Sequence, residues 1–180
     1  MRVIGGVARG RKLREPVGIS IRPTGDMVKE SVFNIIQFDI EGRRVLDLFA
    51  GTGQLGIEAL SRGAKSAVFV DLKPEAIKLI RENVKICGFT ELASVYNRDA
   101  IRYICSDETF DIIFLDPPYN TSLIDKIISK IIEFDKLNLN GIIICEMKAD
   151  TVIPDKFPLY FSYREYIYGN VKIVRFDREN

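Results

Sequence analysis

The chain has 180 residues, of which 47% are hydrophobic and 28% are charged, and its formal net charge is +1. This length predicts a single domain over residues 1–180 with a sizeable core, and no apolar run approaches the roughly 20 residues that a membrane-spanning helix needs. The complete lack of histidine excludes Ser-His-Asp catalysis, a histidine general base and most zinc sites. The lack of a long apolar run favours a cytoplasmic protein, which we expect to be a monomer by default. Because histidine is missing, we expect any catalysis to use carboxylates, backbone groups or an organic cofactor, and no metal.

Positive charge is concentrated at the N-terminus. The first 22 residues hold six basic side chains and one acidic side chain, which gives this segment a net charge of +5 and leaves a mildly acidic remainder. Such a distribution is typical of a protein that grips an anionic partner by one end, although a solvated basic tail has the same composition. Glycines between the basic residues allow either a small β-hairpin or an extended arm.

Downstream of this segment, apolar periodicity predicts alternating helices and strands. A first helix over Gly25–Phe38, capped by Thr24, has an apolar face with the spacing i, i+4, i+7 and i+8. The sequence then predicts five strands, over residues 44–49, 67–71, 93–96, 110–115 and 141–146. The helices predicted between them cover residues 54–62, 74–87, 100–105 and 122–133. This alternation indicates a parallel sheet with helices on both faces.

The C-terminal segment departs from this alternation. Two stretches of alternating apolar and polar residues, 159–165 and 171–176, flank Gly169-Asn170, which is a hairpin turn signal. A terminal hairpin of this kind adds an antiparallel strand to an otherwise parallel sheet. The cysteines at positions 87, 105 and 145 are each flanked by apolar residues and are predicted to be buried.

A glycine-rich loop joins the first predicted strand to the helix that follows it. Gly51, Gly53 and Gly56 match the spacing GxGxxG, which permits a tight turn and a close approach of the backbone to a ligand. The second strand ends in Asp71, 18 residues past Gly53, where a carboxylate can accept hydrogen bonds from ribose hydroxyls. Together these features favour an adenosine-containing cofactor, whereas glycines that serve turn geometry alone are the alternative.

The acid Asp47, which precedes the glycines, bears on which cofactor this is. A negative group beside the loop suits a ligand with a cationic amine better than a pyrophosphate, which favours S-adenosylmethionine over NAD. Asp99 follows the third strand and is placed to meet an adenine amino group. It is equally well placed to cap the short helix after it, and the two roles are compatible.

The stretch Asp116-Pro117-Pro118-Tyr119 follows the fourth strand, at the sheet edge where ligands bind in open α/β folds. A carboxylate and a backbone carbonyl that accept the two N–H groups of a nucleobase amine would localise its lone pair and aim it. The prolines would hold that carbonyl still, and the tyrosine ring would stack on the base. A stiff loop with an incidental acid is the alternative.

At these residues the chain resembles amino-directed, S-adenosylmethionine-dependent methyltransferases, in the motif 116–119 and in the cofactor motif 47–53. It is further similar to the bacterial 16S rRNA guanine-N2 methyltransferase family of the RsmD type. That likeness lies in residues 4–6, 10–13, 22–30 and 58–64. It implies methylation of the N2 amine of one guanine in small-subunit ribosomal RNA. The implied fold is a class I methyltransferase Rossmann-like fold, a mostly parallel seven-stranded sheet with an antiparallel C-terminal hairpin strand and a small N-terminal hairpin or arm.

Carried over residue by residue, the resemblance implies three groups of site residues. The cofactor-binding residues are Asp47, Gly51, Thr52, Gly53, Asp71 and Asp99. The catalytic residues are Asp116, Pro117 and Tyr119. The basic extension 1–23 would bind the RNA phosphates, as a part of the 16S rRNA or of the assembling small subunit, through Arg9, Arg11, Lys12 and Arg14. Arg22 and Thr24 either border the cofactor or serve as linker and helix cap.

One position departs from the family. A threonine is usual two places after the C-terminal Tyr-Gly, where this chain has Val171, so Tyr168-Gly169-Asn170-Val171 is assigned no role beyond a turn. Three other functions stay open at this point. They are adenine-N6 methylation of DNA or RNA, NAD-dependent oxidoreduction, which leaves the motif 116–119 without a role, and RNA binding without catalysis.

Overall fold

The computed structural model describes residues 1–16, 25–117, 121–153 and 161–179. The strands are β1 (Arg44–Leu48), β2 (Ser66–Asp71), β3 (Ala93–Asn97), β4 (Phe110–Leu115), β5 (Leu137–Lys148), β6 (Phe161–Tyr168) and β7 (Val171–Arg178). The helices are α1 (Asp26–Ile35), α2 (Gln54–Ser61), α3 (Pro74–Cys87), α4 (Ala100–Ile104) and α5 (Thr121–Glu133). None of these helices is long and apolar enough to cross a membrane.

The strands form one seven-stranded sheet in the order β3-β2-β1-β4-β5-β7-β6. The first five strands are parallel, and β7 lies antiparallel between β5 and β6. Gly169, with a φ of 59°, makes the tight turn of the terminal hairpin. The predicted fold class is therefore confirmed, including its one antiparallel insertion.

Both faces of the sheet are covered, which explains why the central strands are apolar throughout. Side chains such as Phe33, Phe69 and Ile80 form a core between the sheet and α1, α2 and α3. Side chains such as Tyr103 and Ile127 form a second core against α4 and α5. Because β1 has β2 on one side and β4 on the other, the order of strands reverses beside β1. In folds of this kind ligands bind at the carboxyl edge of that switch point.

Three local predictions were wrong. Strand β5 begins at Leu137, not at residue 141, because the register with β4 shifts there and the polar Asn138 bonds to Asp111 of β4 at 2.9 Å. Helix α1 ends at Ile35, so Phe38 beyond it is 92% exposed. Cys105 is exposed, whereas the other two cysteines are buried as predicted.

The N-terminal segment is a docked hairpin, not an extended arm. Arg2 and Lys12 form an antiparallel bridge, and Val3, Ala8 and Leu13 are buried in the core shared with α1, α2 and α3. The amides of Val7 and Ala8 both donate to Ser61, at the last residue of α2. Thr24, the predicted cap of α1, and Arg22 lie outside the described residues.

Candidate active site

A cleft of about 700 Å³ opens at the carboxyl edge of the sheet, around the switch point. It brings together seven of the nine residues assigned to cofactor binding and catalysis: Asp47, Gly51, Thr52, Asp71, Asp99, Asp116 and Pro117. Of the other two, Gly53 is the last residue of the loop and does not line the cleft, and a Cβ added there would approach Ile80 at 3.3 Å. Tyr119, with Pro118 before it, lies outside the described residues.

The glycine loop uses its glycines for two different purposes. Gly51 and Gly53 have φ angles of 55° and 76°, in the left-handed region that favours glycine, and they turn the chain from β1 into α2. Gly56 instead lets α2 approach the sheet, because a Cβ there would lie 2.3 Å from the Phe69 ring. The loop therefore presents backbone to the cleft while the helix behind it is packed against β2.

Asp71 ties this loop to the end of β2. Its Oδ2 accepts the amide of Gly51 at 2.9 Å, and its Oδ1 accepts the amide of Lys73 at 2.9 Å. Each carboxylate oxygen still has a free lone-pair direction, since an ionised carboxylate offers about four acceptor sites. Asp71 can thus hold the loop and accept hydroxyl donors from a ligand in the cleft.

Asp47 is a buried acid of the cleft with a strongly raised pKa. It is 3% exposed, and its Oδ2 accepts the amide of Gly56 at 2.9 Å. Burial raises its pKa from the usual 3.8 to about 8, and the nearby carboxylates of Asp116 and Asp71 add to the shift against the opposing bond from Gly56. A cation beside this carboxyl group would lower its pKa again, because a positive charge stabilises the ionised form.

Asp99 caps α4, as one of its two predicted roles requires. Its Oδ1 accepts the amide of Arg102 at 3.0 Å, and the residue also lines the cleft. Asp99 also lines a second, smaller groove of about 430 Å³, together with Leu72 and Arg98. The second oxygen of the carboxylate can serve a ligand, so capping and ligand contact are compatible here.

Phe49 is a residue of the cleft that the sequence did not single out. Its φ of 71° is left-handed although it is not glycine, a conformation that costs of order 1 kcal/mol or more. The amides of Phe49 and Ala50 both donate to the carbonyl of Val70 at 3.0 Å, which holds the turn in place. Phe49 itself lines the cleft.

The opposite end of the cleft is formed by the ends of β4 and β5. Asp116 is half-buried and Pro117 is buried, directly after the last residue of β4. Glu146 of β5 and Val171, the first residue of β7, line the same end. Val171 thus lies on the cleft although its segment was assigned only a turn. An acid near the end of an apolar strand, the same signal that marked Asp116, could have identified Glu146.

The basic N-terminal residues are not brought to the cleft. The hairpin is held by Glu58 of α2, whose buried carboxylate accepts the amides of Ile4 and Gly5 at 2.8 and 2.7 Å. Arg11 donates to the carbonyl of Ile86 at 2.5 Å, near the end of α3. Since α2 begins at the cleft and is about 12 Å long, the exposed cations of the hairpin tip lie at its far end.

Arg14, one of the four predicted RNA contacts, is linked to the glycine loop through Asn83. Its backbone amide and carbonyl both bond to the buried Asn83 of α3, at 2.7 and 3.2 Å. Asn83 also donates to the carbonyl of Thr52 at 3.0 Å, and so joins the hairpin to the glycine loop. The hydroxyl of Thr52 faces the Met1 sulfur at 3.5 Å. The guanidinium of Arg14 pairs with Glu82 at 3.2 Å.

Within the described ranges, no cluster of three or more His, Cys, Asp or Glu side chains has the arrangement of a metal site. What the cleft offers a ligand is a row of acceptors with an apolar wall.

Comparison with known proteins places this architecture in a family. A family model described as "Conserved hypothetical protein 95" matches residues 1–177. Ribosomal RNA small subunit methyltransferase D of Haemophilus influenzae is 36% identical, over 92% of this chain and 93% of that protein. The protein of the same name from Escherichia coli K12 is 32% identical, over 99% of this chain and 90% of its own length.

Solved structures of similar proteins have the same fold. That of Escherichia coli yhhF superposes with a TM-score of 0.89 at 32% identity and covers 99% of this chain and 98% of its own. An RNA methyltransferase of Salinibacter ruber, in complex with S-adenosyl-L-homocysteine, reaches a TM-score of 0.69 at 19% identity, over 88% and 95% of the two chains. At that identity the likeness shows the fold alone, which is the class I methyltransferase fold.

Proposed function

Since the chain belongs to the family described as conserved hypothetical protein 95, we propose that it methylates the exocyclic N2 amine of a guanine in 16S rRNA, with S-adenosylmethionine as the methyl donor. One observation carries the proposal. Asp116 and Pro117, the acceptor-binding pair, share a single cleft with the three carboxylates that suit the cofactor, Asp47, Asp71 and Asp99. The Haemophilus influenzae and Escherichia coli relatives, named small subunit methyltransferases, support the choice of RNA.

The carboxylates fit S-adenosylmethionine one group at a time. Asp47 is buried, and a cation beside it stabilises its ionised form, so it would hold the amino group at the amino-acid end of the cofactor. Asp71 would accept the ribose hydroxyls, and Asp99 the adenine amine. A dinucleotide would instead place a pyrophosphate beside Asp47, which disfavours NAD. When bound, the cofactor supplies a methyl group activated by the positive charge of its sulfonium.

The acceptor amine is activated by acceptors, not by a strong base. The Asp116 carboxylate and the Pro117 carbonyl would each accept one N–H of the amine, which localises the nitrogen lone pair and aims it into the cleft. Positive charge that develops on the nitrogen is stabilised by the nearby carboxylate. The proton then passes to Asp116 or to water. Tyr119 is proposed to stack on the base.

The basic hairpin would bind RNA away from the acceptor base. Arg9, Arg11, Lys12 and Arg14 of the extension 1–23 would contact phosphates along the face formed by α2 and α3, which fixes the position of the RNA without reading sequence. The proposed substrate places the enzyme in the cytoplasm, where it would act as a monomer.

The proposal is tested by mass-spectrometric mapping of the methylated nucleoside. The protein is incubated with labelled S-adenosylmethionine and either naked 16S rRNA or small-subunit particles. Wild type should yield N2-methylguanosine, and Asp116→Ala should retain cofactor binding but lose methyl transfer. The Asp107→Ala control, at an exposed acid before β4, should behave as wild type. Full methyl transfer by Asp116→Ala would refute the mechanism. If the product were N6-methyladenosine, the acceptor base would be adenine and not guanine.

A further inference from the structure

The ends of β4 and β5 place a second carboxylate beside Asp116. The two strands are parallel neighbours, and Leu115 pairs with Cys145 in their register. The next residue along each chain segment is an acid: Asp116 directly follows β4, and Glu146 lies within β5. Adjacent strands lie about 4.8 Å apart, so these two acids stand side by side at the edge of the sheet.

Both acids belong to the same face of the sheet. The preceding pair, Leu115 and Cys145, packs into the core under α4 and α5. Because side chains alternate along a strand, Asp116 and Glu146 belong to the other face, on the side of α1 and α2. Both line the cleft. The carboxylates of Asp116 and Glu146 also act with burial to raise the pKa of the Cys145 thiol, so both lie close to this residue of β5.

Two carboxylates side by side match one edge of guanine. That edge carries the N1–H donor next to the two N–H groups of the N2 amine, so it presents only donors to the pair. Adenine presents an amine next to the N1 lone pair, which would face a carboxylate and repel it. A second acid beside the acid that holds the amine therefore distinguishes the two bases by the proton on N1.

We propose that Glu146 accepts a hydrogen bond from the N1–H of the acceptor base and thereby selects guanine, an inference that rests on the proposed function. Asp116 and the Pro117 carbonyl orient the amine, and Glu146 identifies the base that carries it. This role is separate from the amine chemistry, because N1–H takes no part in methyl transfer. Glu146 is thus a specificity-determining residue.

The test uses a base that keeps the amine and loses the N1 proton. 2-Aminopurine has the same exocyclic amine as guanine, but its N1 is an acceptor. The guanine mapped in the previous experiment is replaced by 2-aminopurine in 16S rRNA through splinted ligation. We then measure kcat/KM for both RNAs with wild type, with Glu146→Gln and with the control Glu133→Gln, at an exposed position on α5.

Wild type is expected to prefer guanine by about 10- to 100-fold, the range of one hydrogen bond to a charged group. In Glu146→Gln the amide can donate to N1, so activity on guanine should fall and activity on 2-aminopurine should rise, which brings the ratio to within about threefold of unity. The control should keep the wild-type ratio. The affinity for S-adenosylmethionine, measured by calorimetry, should be the same in all three proteins.

Three results would overturn the assignment. A wild-type ratio near unity would do so without any variant, even if Glu146→Gln failed to fold. A folded Glu146→Gln with the wild-type ratio of kcat/KM for the two RNAs would also overturn it. If that variant in addition bound S-adenosylmethionine more weakly, Glu146 would be assigned to the cofactor site instead. Lack of N2-methylguanosine with wild type would refute the proposed function itself, and the assignment with it.

Discussion

The buried acid Asp47, which we propose binds the cofactor, should lower the stability of the protein when it is ionised. Its pKa is about 8 in the folded protein and 3.8 in ordinary surroundings, a difference of about four pKa units. At about 1.4 kcal/mol per unit, ionising this side chain costs the folded state up to about 6 kcal/mol. Asp47→Asn keeps an oxygen that can accept the Gly56 amide and removes the charge, so it should recover part of this free energy.

The sign of the effect depends on pH. The unfolded chain loses its proton near pH 3.8 and the folded protein near pH 8, so between these values the unfolded state binds fewer protons and the free energy of unfolding falls as pH rises. The advantage of Asp47→Asn should therefore be small at about pH 4, grow through the window and level off above about pH 8. Urea unfolding of both proteins at several pH values measures it. Asp150→Asn, at an exposed acid beyond β5, is the control and should show no such trend.

Asp47→Asn should weaken cofactor binding although it stabilises the fold. The cationic amine of S-adenosylmethionine needs Asp47 ionised, so binding to wild type near pH 7 should release up to one proton, which calorimetry in two buffers of different ionisation enthalpy detects. Asp47→Asn should release fewer protons and bind about 10- to 100-fold more weakly, because a charged hydrogen bond is lost. A stability difference that does not vary with pH, or an unchanged affinity, would refute this reasoning.

Two further predictions concern the packing behind the cleft and the hairpin beside it. Gly56→Ala places a Cβ 2.3 Å from the Phe69 ring and should destabilise the protein by about 1–3 kcal/mol in urea unfolding, whereas a cost below about 0.5 kcal/mol would mean that α2 can move away from the sheet. Replacing Arg9, Arg11 and Lys12 together by glutamine should weaken RNA binding and reduce the slope of log K against log salt by about 2, while neutralising the two lysines of α5 should not. An unchanged slope would place the RNA on another surface.

Much of this fold follows from local patterns. Helix α3 has the bounds that the sequence predicts, because Pro74 suits its first turn, Gly88 with a φ of 79° suits its end, and the apolar stripe between them has a helical period. The start of β5 could not be predicted. Its polar residues there are accommodated by a register shift against β4, and that shift is a property of the strand pair, not of either strand alone.

The candidate site divides in the same way. Asp47, Asp71 and Asp116 could be predicted because each lies near the end of an apolar strand, and the ends of parallel strands share one edge. Glu146 has the same local signal, yet its meaning depends on the register that sets it beside Asp116. Val171 comes to the cleft only because β7 inserts between β5 and β6.

By itself, then, the sequence determined the alternation of elements, the glycine loop and the acids that end the strands, since these depend on neighbours a few residues apart. Only the tertiary structure decided where the basic N-terminus lies. The hairpin is held by bonds from Gly5 to Glu58 and from Arg14 to Asn83, which join residues 53 and 69 positions apart. Contacts over such separations leave no periodic trace in the sequence, because each partner satisfies the pattern of its own element.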